Sequence, residues 1–575
     1  MANKRILDVV DSPADLKLLT DDELSILARE IREQIITTTS KTGGHVASSL
    51  GAVEIILAVH SLLNCPEDKF IFDVGHQSYA HKLVTGRRDR FDTLRTFHGI
   101  SGFPKPSESE YDVHASGHAS DSLSIAVGLA KARALSGGTN KIVALIGDAA
   151  LGGGMAFEAL NYIGQAQLPM VIILNDNEMS ISRNVGALMK HLGYLRTSSS
   201  YRTTRDRVQE AMEQSGALGS ALMHFGRNAK ESMKQFVIPH SMIFEQLGIV
   251  CTTPVDGHNI HELKGMLSTC LAADGPVLMH VVTKKGAGYG PAMAEPTRFH
   301  GTGPYDIATG KAIKKPAKAP SYTSVFGEAL LNEARADERI VAITAAMESG
   351  TGLTAFEKEF PDRFIDVGIC EENAAGMAAG LAIGGRKPVF AVYSTFLQRA
   401  IDQLIVNNAL MNLDVVFAID RAGLVGADGP THHGMFDLVY TRMVPNMRVL
   451  APSNEAELVN SLHTALVLGG PFAVRYPRGE ACGVPVPDKP ETYEPGVSRL
   501  VREGSDVAIL AFGNMVAPAN EAAAVLEEAG LSVRVVDMRW AKPLDAEAIR
   551  KAAETRLVVT VEDGVIAGGV GDEVL

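Results

Sequence analysis

Short runs of β-branched and aliphatic residues recur along the whole chain, each closed by a Gly- or Asp-containing turn and followed by an Ala/Leu-rich helical stretch. Residues 141–146 and 170–174 are such runs in the first part. Residues 339–343, 388–392 and 414–419 follow in the middle, and 506–510, 532–536 and 556–561 near the end. Apolar runs without polar alternation predict strands covered on both faces, and their alternation with helices predicts parallel sheets in α/β layers. Residues 310–322 mix Pro, Ala and Lys, and residues 484–497 carry four prolines; neither shows a period, and both read as linkers. They divide the chain into three expected α/β domains, 1–310, 323–483 and 498–575. In such sheets ligands belong at the carboxyl ends of the strands. Residues 191–235, a Ser/Thr/Arg-rich stretch and then a polar helical pattern, break the rhythm and read as a surface excursion.

Composition narrows the class. Of 575 residues, 46% are hydrophobic and 21% charged, which excludes a disordered polymer. The formal charge, 54 − 67 = −13, argues against a nucleic-acid partner, which needs a basic footprint. No apolar run approaches the roughly 18 residues of a membrane span, so no membrane partner is expected. The first eleven residues meet acid before any long apolar stretch and read as no secretion signal. Five cysteines without a C-x-x-C pair predict neither a disulfide framework nor a zinc site, and point to the reducing cytoplasm.

Candidate chemistry begins at Gly147-Asp148-Ala149-Ala150-Leu151-Gly152-Gly153-Gly154 and closes at Asn175-Asp176-Asn177. Asp148 ends one predicted strand and Asn177 the next. Neighbouring parallel strands joined by one helix set these oxygen ligands side by side on one sheet edge. A few hard oxygen ligands suit Mg²⁺, which shares its sphere with a ligand's phosphates. The glycines let backbone approach a diphosphate, and the helix beginning near Met155 points its positive end there. A Gly-Asp turn alone is commonly structural. The absence of Gly-Lys-Ser/Thr argues against a P-loop.

An acid after a strand, a helix and a closing Asn resemble the signature of thiamine-diphosphate enzymes, with Ala149 where that signature usually has Gly. Longer segments resemble one family within the transketolase-like superfamily, the 1-deoxy-D-xylulose-5-phosphate synthases. They are Thr42-Gly-Gly-His-Val-Ala-Ser48, Asp73-Val-Gly-His-Gln77, Gly117-His-Ala-Ser120, Asn175-Asp-Asn-Glu-Met-Ser-Ile-Ser182, Thr283-Lys-Lys-Gly286, Tyr393-Ser-Thr-Phe-Leu-Gln-Arg399, Asp420-Arg-Ala-Gly423 and Arg475-Tyr-Pro-Arg-Gly479. The resemblance runs from about residue 3 to the last residue. It implies a transketolase-like thiamine-diphosphate-binding fold and the cofactors thiamine diphosphate and Mg²⁺. It also implies a homodimer, with each cofactor between the first two domains of one subunit. The implied reaction decarboxylates pyruvate and ligates the two-carbon unit to D-glyceraldehyde 3-phosphate, supplying precursors of isoprenoids, thiamine and pyridoxal. Members of that family continue for several dozen residues beyond residue 575, so the third domain is expected to be incomplete and to expose apolar surface.

The resemblance also assigns roles residue by residue. Asp148, Asn177 and Met179 are implied metal positions. His76, Gly117, His118, Ala119, Ala149, Ala150, Asn177, Tyr289, Glu371 and Phe396 are implied cofactor contacts, with Phe396 stacking on the pyrimidine. Glu371 is the implied cofactor-activating carboxylate; from spacing alone, a Glu before the small-residue helix 374–382 reads more readily as a first-turn charge. His45, His300 and His432 are implied catalytic groups, histidine being poised for proton transfer near neutral pH. Tyr393, Arg399, Asp428, His432 and Arg478 are implied substrate contacts, the guanidinium forks suiting a phosphate. Arg421, by contrast, reads equally well as paired with Asp420 or Asp428. Three further departures stand out: Glu372-Asn373 where the family reads Gln-His, and His433 where it has Gln. A transketolase-like enzyme using a ketose phosphate and a non-catalytic paralogue are the competing readings.

Overall fold

The computed structural model describes residues 5–177, 185–188, 242–313 and 316–575. The surface excursion expected at 191–235 and the implied metal position Met179 lie outside the described residues. The chain forms two compact units, Met1–Lys314 and Lys315–Leu575.

In the first unit, strands β1 (Lys69–Phe72), β2 (Ile142–Gly147), β3 (Met170–Asp176), β4 (Val250–Cys251), β5 (Val255–Asp256) and β6 (Pro276–Val282) form one sheet. Its order is β1-β2-β3-β6-β4, with β5 also on β6, and every pairing is parallel. The apolar runs explain the arrangement: β3 is buried along its whole length, as strands sandwiched between helices must be. Helices Asp21–Thr42 and Val53–Leu62 pack their buried faces into the core that backs this sheet. Thr20 starts the first of these with a reciprocal capping box to Glu23.

The second unit contains β7 (Ile340–Thr344), β8 (Phe364–Asp366), β9 (Lys387–Tyr393), β10 (Val416–Ala422), β11 (Arg448–Leu450), β12 (Phe472–Pro477), β13 (Arg499–Arg502), β14 (Val507–Ala511), β15 (Val533–Asp537), β16 (Trp540–Lys542) and β17 (Leu557–Val561). They form a seven-stranded sheet, β16-β11-β12-β10-β9-β7-β8, and a four-stranded sheet, β13-β15-β14-β17. Both are parallel except at one edge each, where β16 pairs antiparallel with β11 and β13 with β15. The expectation of parallel sheets therefore holds for the interior strands and is amended at these edges. β16 lies late in the chain yet joins the earlier sheet, where Trp540 is fully buried against Phe472, ring centroids 6.2 Å apart. One core is shared by the two sheets: Phe390, Val392 and Phe417 pack with Leu510, Phe512 and Val570. β17 is an edge of the smaller sheet among the described residues and leaves Leu557 exposed.

Candidate active site

In the first unit, the loops after β1, β2, β3 and β6 converge on one sheet edge. Asp148 follows β2 directly, opening a short helical turn, and is 2% exposed. Its Oδ1 accepts the Ala149 N–H at 2.9 Å and its Oδ2 the Asn177 N–H at 3.3 Å. The predicted juxtaposition of Asp148 and Asn177 is therefore present, because Gly147 and Asn175 are register partners on adjacent strands. A Cβ built at Gly147 or Gly154 meets nothing within 4 Å, so packing within the protein leaves the space above this turn open. Helix Gly154–Ala166 then runs away from it. Among the described residues no three His, Cys, Asp or Glu side chains cluster as a metal cage. The donor set is one carboxylate and one amide, the sparse kind with which Mg²⁺ binds phosphates.

Asp73 ties the neighbouring loop to this edge, accepting from the Ser120 N–H (2.9 Å) and the Ser122 hydroxyl (2.7 Å). Ser120 in turn donates to the Ala150 carbonyl at 2.7 Å. Gly117, His118 and Ala119 are thereby held beside Ala150. Three histidines meet nearby: ring centroids are 5.9 Å apart for His45–His76, 5.2 Å for His76–His300 and 5.9 Å for His45–His300. Desolvation holds His76 and His300 well below the ordinary imidazole range, and His76 Nδ1 is enclosed with no hydrogen-bond partner. Lys285 Nζ lies 3.2 Å from His300 Nδ1. Burial pushes this ammonium down to about 8, opposed by the charge of Asp148. Sequence reasoning passed over Lys285, since nothing in Thr283-Lys-Lys-Gly286 says which lysine is buried. The structure buries Lys285 and exposes Lys284, whose N–H donates to His258 Nε2 at 2.9 Å. Tyr289, an implied cofactor contact, donates its hydroxyl to the Ile307 carbonyl (2.8 Å), and its ring packs edge-on to Phe299.

In the second unit, Glu371 is the first residue of helix Glu371–Ile383 and is 2% exposed. Its Oε2 has no hydrogen-bond partner, and its nearest cation is Arg399 Nη1 at 3.8 Å. Burial pushes this carboxyl up to about 7; Arg399 opposes the rise and Glu372 adds to it. Glu371 does stand in the first turn of that helix, enclosed by the fold. Phe396 is half-buried, stacked on Tyr393 at 5.7 Å and edge-on to His432 at 5.6 Å. The Arg421 guanidinium lies 3.7 Å over the Tyr393 ring, and Arg421 adopts a left-handed φ of 59°. Asp420 is fully buried, accepting the Thr323 hydroxyl at 2.8 Å, and is pushed up to about 6 by burial. Arg478 pairs with Asp428 at 3.1 Å. His433 Nδ1 accepts the Val425 N–H at 3.1 Å, so the residue that departs from the family pattern pins the loop carrying Asp428 and His432.

Sequence comparisons decide the family. Residues 7–283 match the family described as 1-deoxy-D-xylulose-5-phosphate synthase, 318–483 the transketolase pyrimidine binding domain, and 496–575 the transketolase C-terminal domain. The 1-deoxy-D-xylulose-5-phosphate synthase of Syntrophomonas wolfei is 50% identical over 570 residues, 99% of this chain and 89% of that one. The synthase numbered 2 of Geobacter sulfurreducens is 52% identical over 573 residues, 99% of this chain and 91% of that one. The chain belongs to the 1-deoxy-D-xylulose-5-phosphate synthase family. Its fold is accordingly transketolase-like; Asp148 and Asn177 lie in the segment matched by this synthase family, and Glu371, Phe396 and Arg478 in that matched by the pyrimidine binding domain. The enclosed carboxyl of Glu371, with its unbonded Oε2, and the open turn at Gly147 and Gly154 fit a thiamine diphosphate.

Proposed function

We propose that the chain binds thiamine diphosphate, decarboxylates pyruvate and joins the two-carbon unit to D-glyceraldehyde 3-phosphate. The observation that carries this reading is the buried Glu371 carboxyl with its unbonded Oε2. Thiamine diphosphate, when bound, supplies the carbanion chemistry of decarboxylation and transfer. The residues supply the remainder. Near neutral pH, Glu371 can hold a proton at Oε2 and share it with a ring nitrogen facing it. Phe396 offers an aromatic face to the pyrimidine. Asp148 and Asn177 would hold Mg²⁺, and Lys285 adds a positive charge close to the same turn. Gly117, His118, Ala119, Ala149 and Ala150 would line the diphosphate end. His45, His76, His300 and His432 are suited to exchange protons with substrate oxygens. Arg399 and Arg478 would take the acceptor's phosphate, with Tyr393 and Asp428 orienting its aldehyde and hydroxyl. Of the three expected domains, 1–310, 323–483 and 498–575, the first two carry these residues.

The chain is further proposed to act as a homodimer in the cytoplasm. Exposed Ile383 and Leu410 on the outside of the second unit, and five free thiols, support this. Among the described residues no helix is long and apolar enough to cross a membrane.

The test is CO₂ release from labelled pyruvate with thiamine diphosphate and Mg²⁺. Release should rise sharply on adding D-glyceraldehyde 3-phosphate, with a five-carbon ketose phosphate as product. Turnover of a ketose phosphate donor and none of pyruvate would overturn the reading in favour of a transketolase.

A further inference from the structure

Residues 423–434 leave the carboxyl end of β10 and carry Asp428 and His432. Their base is closed by two reciprocal backbone hydrogen bonds, Gly423 N–H to Gly434 O and Gly434 N–H to Gly423 O, both 2.8 Å. Solid structure confines this closure on two sides. On one, a Cβ built at Gly434 would lie 2.5 Å from Ser394 Cβ and 2.6 Å from the Arg421 carbonyl oxygen. On the other, a Cβ built at Gly423 would lie 1.7 Å from Oδ2 of Asp563. The Asp563 carboxylate thus fills the space over Gly423 that a side chain would take, and the left-handed φ of 73° at Gly423 suits the same residue.

Asp563 comes from the segment after β17, distant in sequence, and that segment is firmly held. The Asp563 carbonyl accepts Arg475 Nη2 at 3.0 Å, and Arg475 Nε is anchored on buried Asp437 at 2.7 Å. Asp563 Oδ2 accepts Asn514 Nδ2 at 3.3 Å. One residue earlier, the Glu562 carboxylate accepts the N–H groups of Val570 and Gly571, each at 3.0 Å. Val570 is fully buried in the core that also holds Tyr393 and Leu438. A carboxylate on such a support is a fixed stop.

We propose that Asp563 is a positioning residue for the acceptor site: packed on Gly423, it fixes the base of residues 423–434 and so the placement of Asp428 opposite Arg478. The proposal rests on the reading that Asp428, His432 and Arg478 receive the phosphorylated acceptor. Removing the carboxylate leaves a void beneath the closure, and small displacements of positioning groups are costly in rate.

The test compares Asp563→Ala, Asp563→Asn and Asn514→Ala with the parent enzyme. Asp563→Ala should raise the acceptor KM about tenfold and leave the pyruvate KM within about twofold. Calorimetric affinity for thiamine diphosphate should be unchanged. Asp563→Asn keeps the shape and the oxygen facing Asn514, and should restore most of the loss. Asn514→Ala, which removes only the anchor, should fall between. Amide hydrogen exchange at Gly423 and Gly434 should quicken in the order Asn514→Ala, then Asp563→Ala. Equal rises in both KM values, or unchanged exchange at the two glycines, would overturn the proposal. If the parent shows no acceptor-dependent turnover, the functional reading has failed, and the exchange experiment still decides whether Asp563 fixes the closure.

Discussion

Replacing Glu371 by Gln isolates the energetic cost of burying the carboxyl. In the folded protein burial raises its pKa from the ordinary 4.5 to about 7. Below pH 4.5 the group is protonated whether the chain is folded or not, and nothing is lost. Between 4.5 and about 7 the unfolded chain ionises it while the folded chain resists, so folding loses about 1.4 kcal/mol per pH unit. Above 7 the loss levels off at about 3 kcal/mol. With Glu371 2% exposed, solvent screening takes little from this figure. Gln has the same shape and no charge, so the cofactor-free Glu371→Gln protein should differ little from the parent at pH 5 and be more stable at pH 8. The two differences should be about 2 kcal/mol apart. Trp540 is the single tryptophan, is fully buried, and lies in the same unit as Glu371. Its emission during urea unfolding therefore reports the right part of the molecule. Other titrating groups are common to both proteins and cancel. The same substitution should abolish carboligation, since an amide cannot share a proton in the same way. A stability difference that does not change between pH 5 and pH 8, or a Gln variant less stable at pH 8, would refute the reasoning.

Asp148→Ala should weaken thiamine diphosphate binding in the presence of Mg²⁺ by about 100-fold, near 3 kcal/mol, measured by calorimetry. Arg478→Ala should raise the acceptor KM ten- to a hundredfold, the ~1.5–3 kcal/mol of a charged hydrogen bond, and the pyruvate KM far less. Asp112 accepts a bidentate pair from buried Arg87 at 2.6 and 2.9 Å and also holds His81 at 2.8 Å. Those partners hold its carboxyl well below the usual range, so the stability it contributes is present at neutral pH and fades only in strong acid. Asp112→Ala should cost about 3 kcal/mol at pH 7 by leaving buried Arg87 only the more distant Glu108 carboxylate at 3.9 Å, seen as a lower thermal midpoint.

What was legible in the chain is what local pattern determines. Apolar runs marked β2 and β3 to within a residue or two, and two neighbouring strands of the same sense necessarily bring Asp148 and Asn177 together. Glu371 illustrates the limit. A Glu at a helix start is ordinarily a solvated charge, and only the packing around it, which no local pattern encodes, turns it into an enclosed carboxyl with a raised pKa. Lys285 was hidden for the same reason, since two adjacent lysines look alike until one points into a fold. β16 shows the topological form of the limit. Three residues, Trp540–Lys542, carry no period, and their pairing with β11 is decided by tertiary contacts some ninety positions apart, so a division of the chain at its linkers could not anticipate it. Asp563 combines both limits. Its sequence setting is an acidic turn after a strand, a common solvent-facing arrangement, and its meaning comes from Gly423, a glycine whose missing side chain leaves the space the carboxylate enters. Local pattern thus marks the sites that strand ends build, while the residues that tune and brace those sites emerge where distant segments meet.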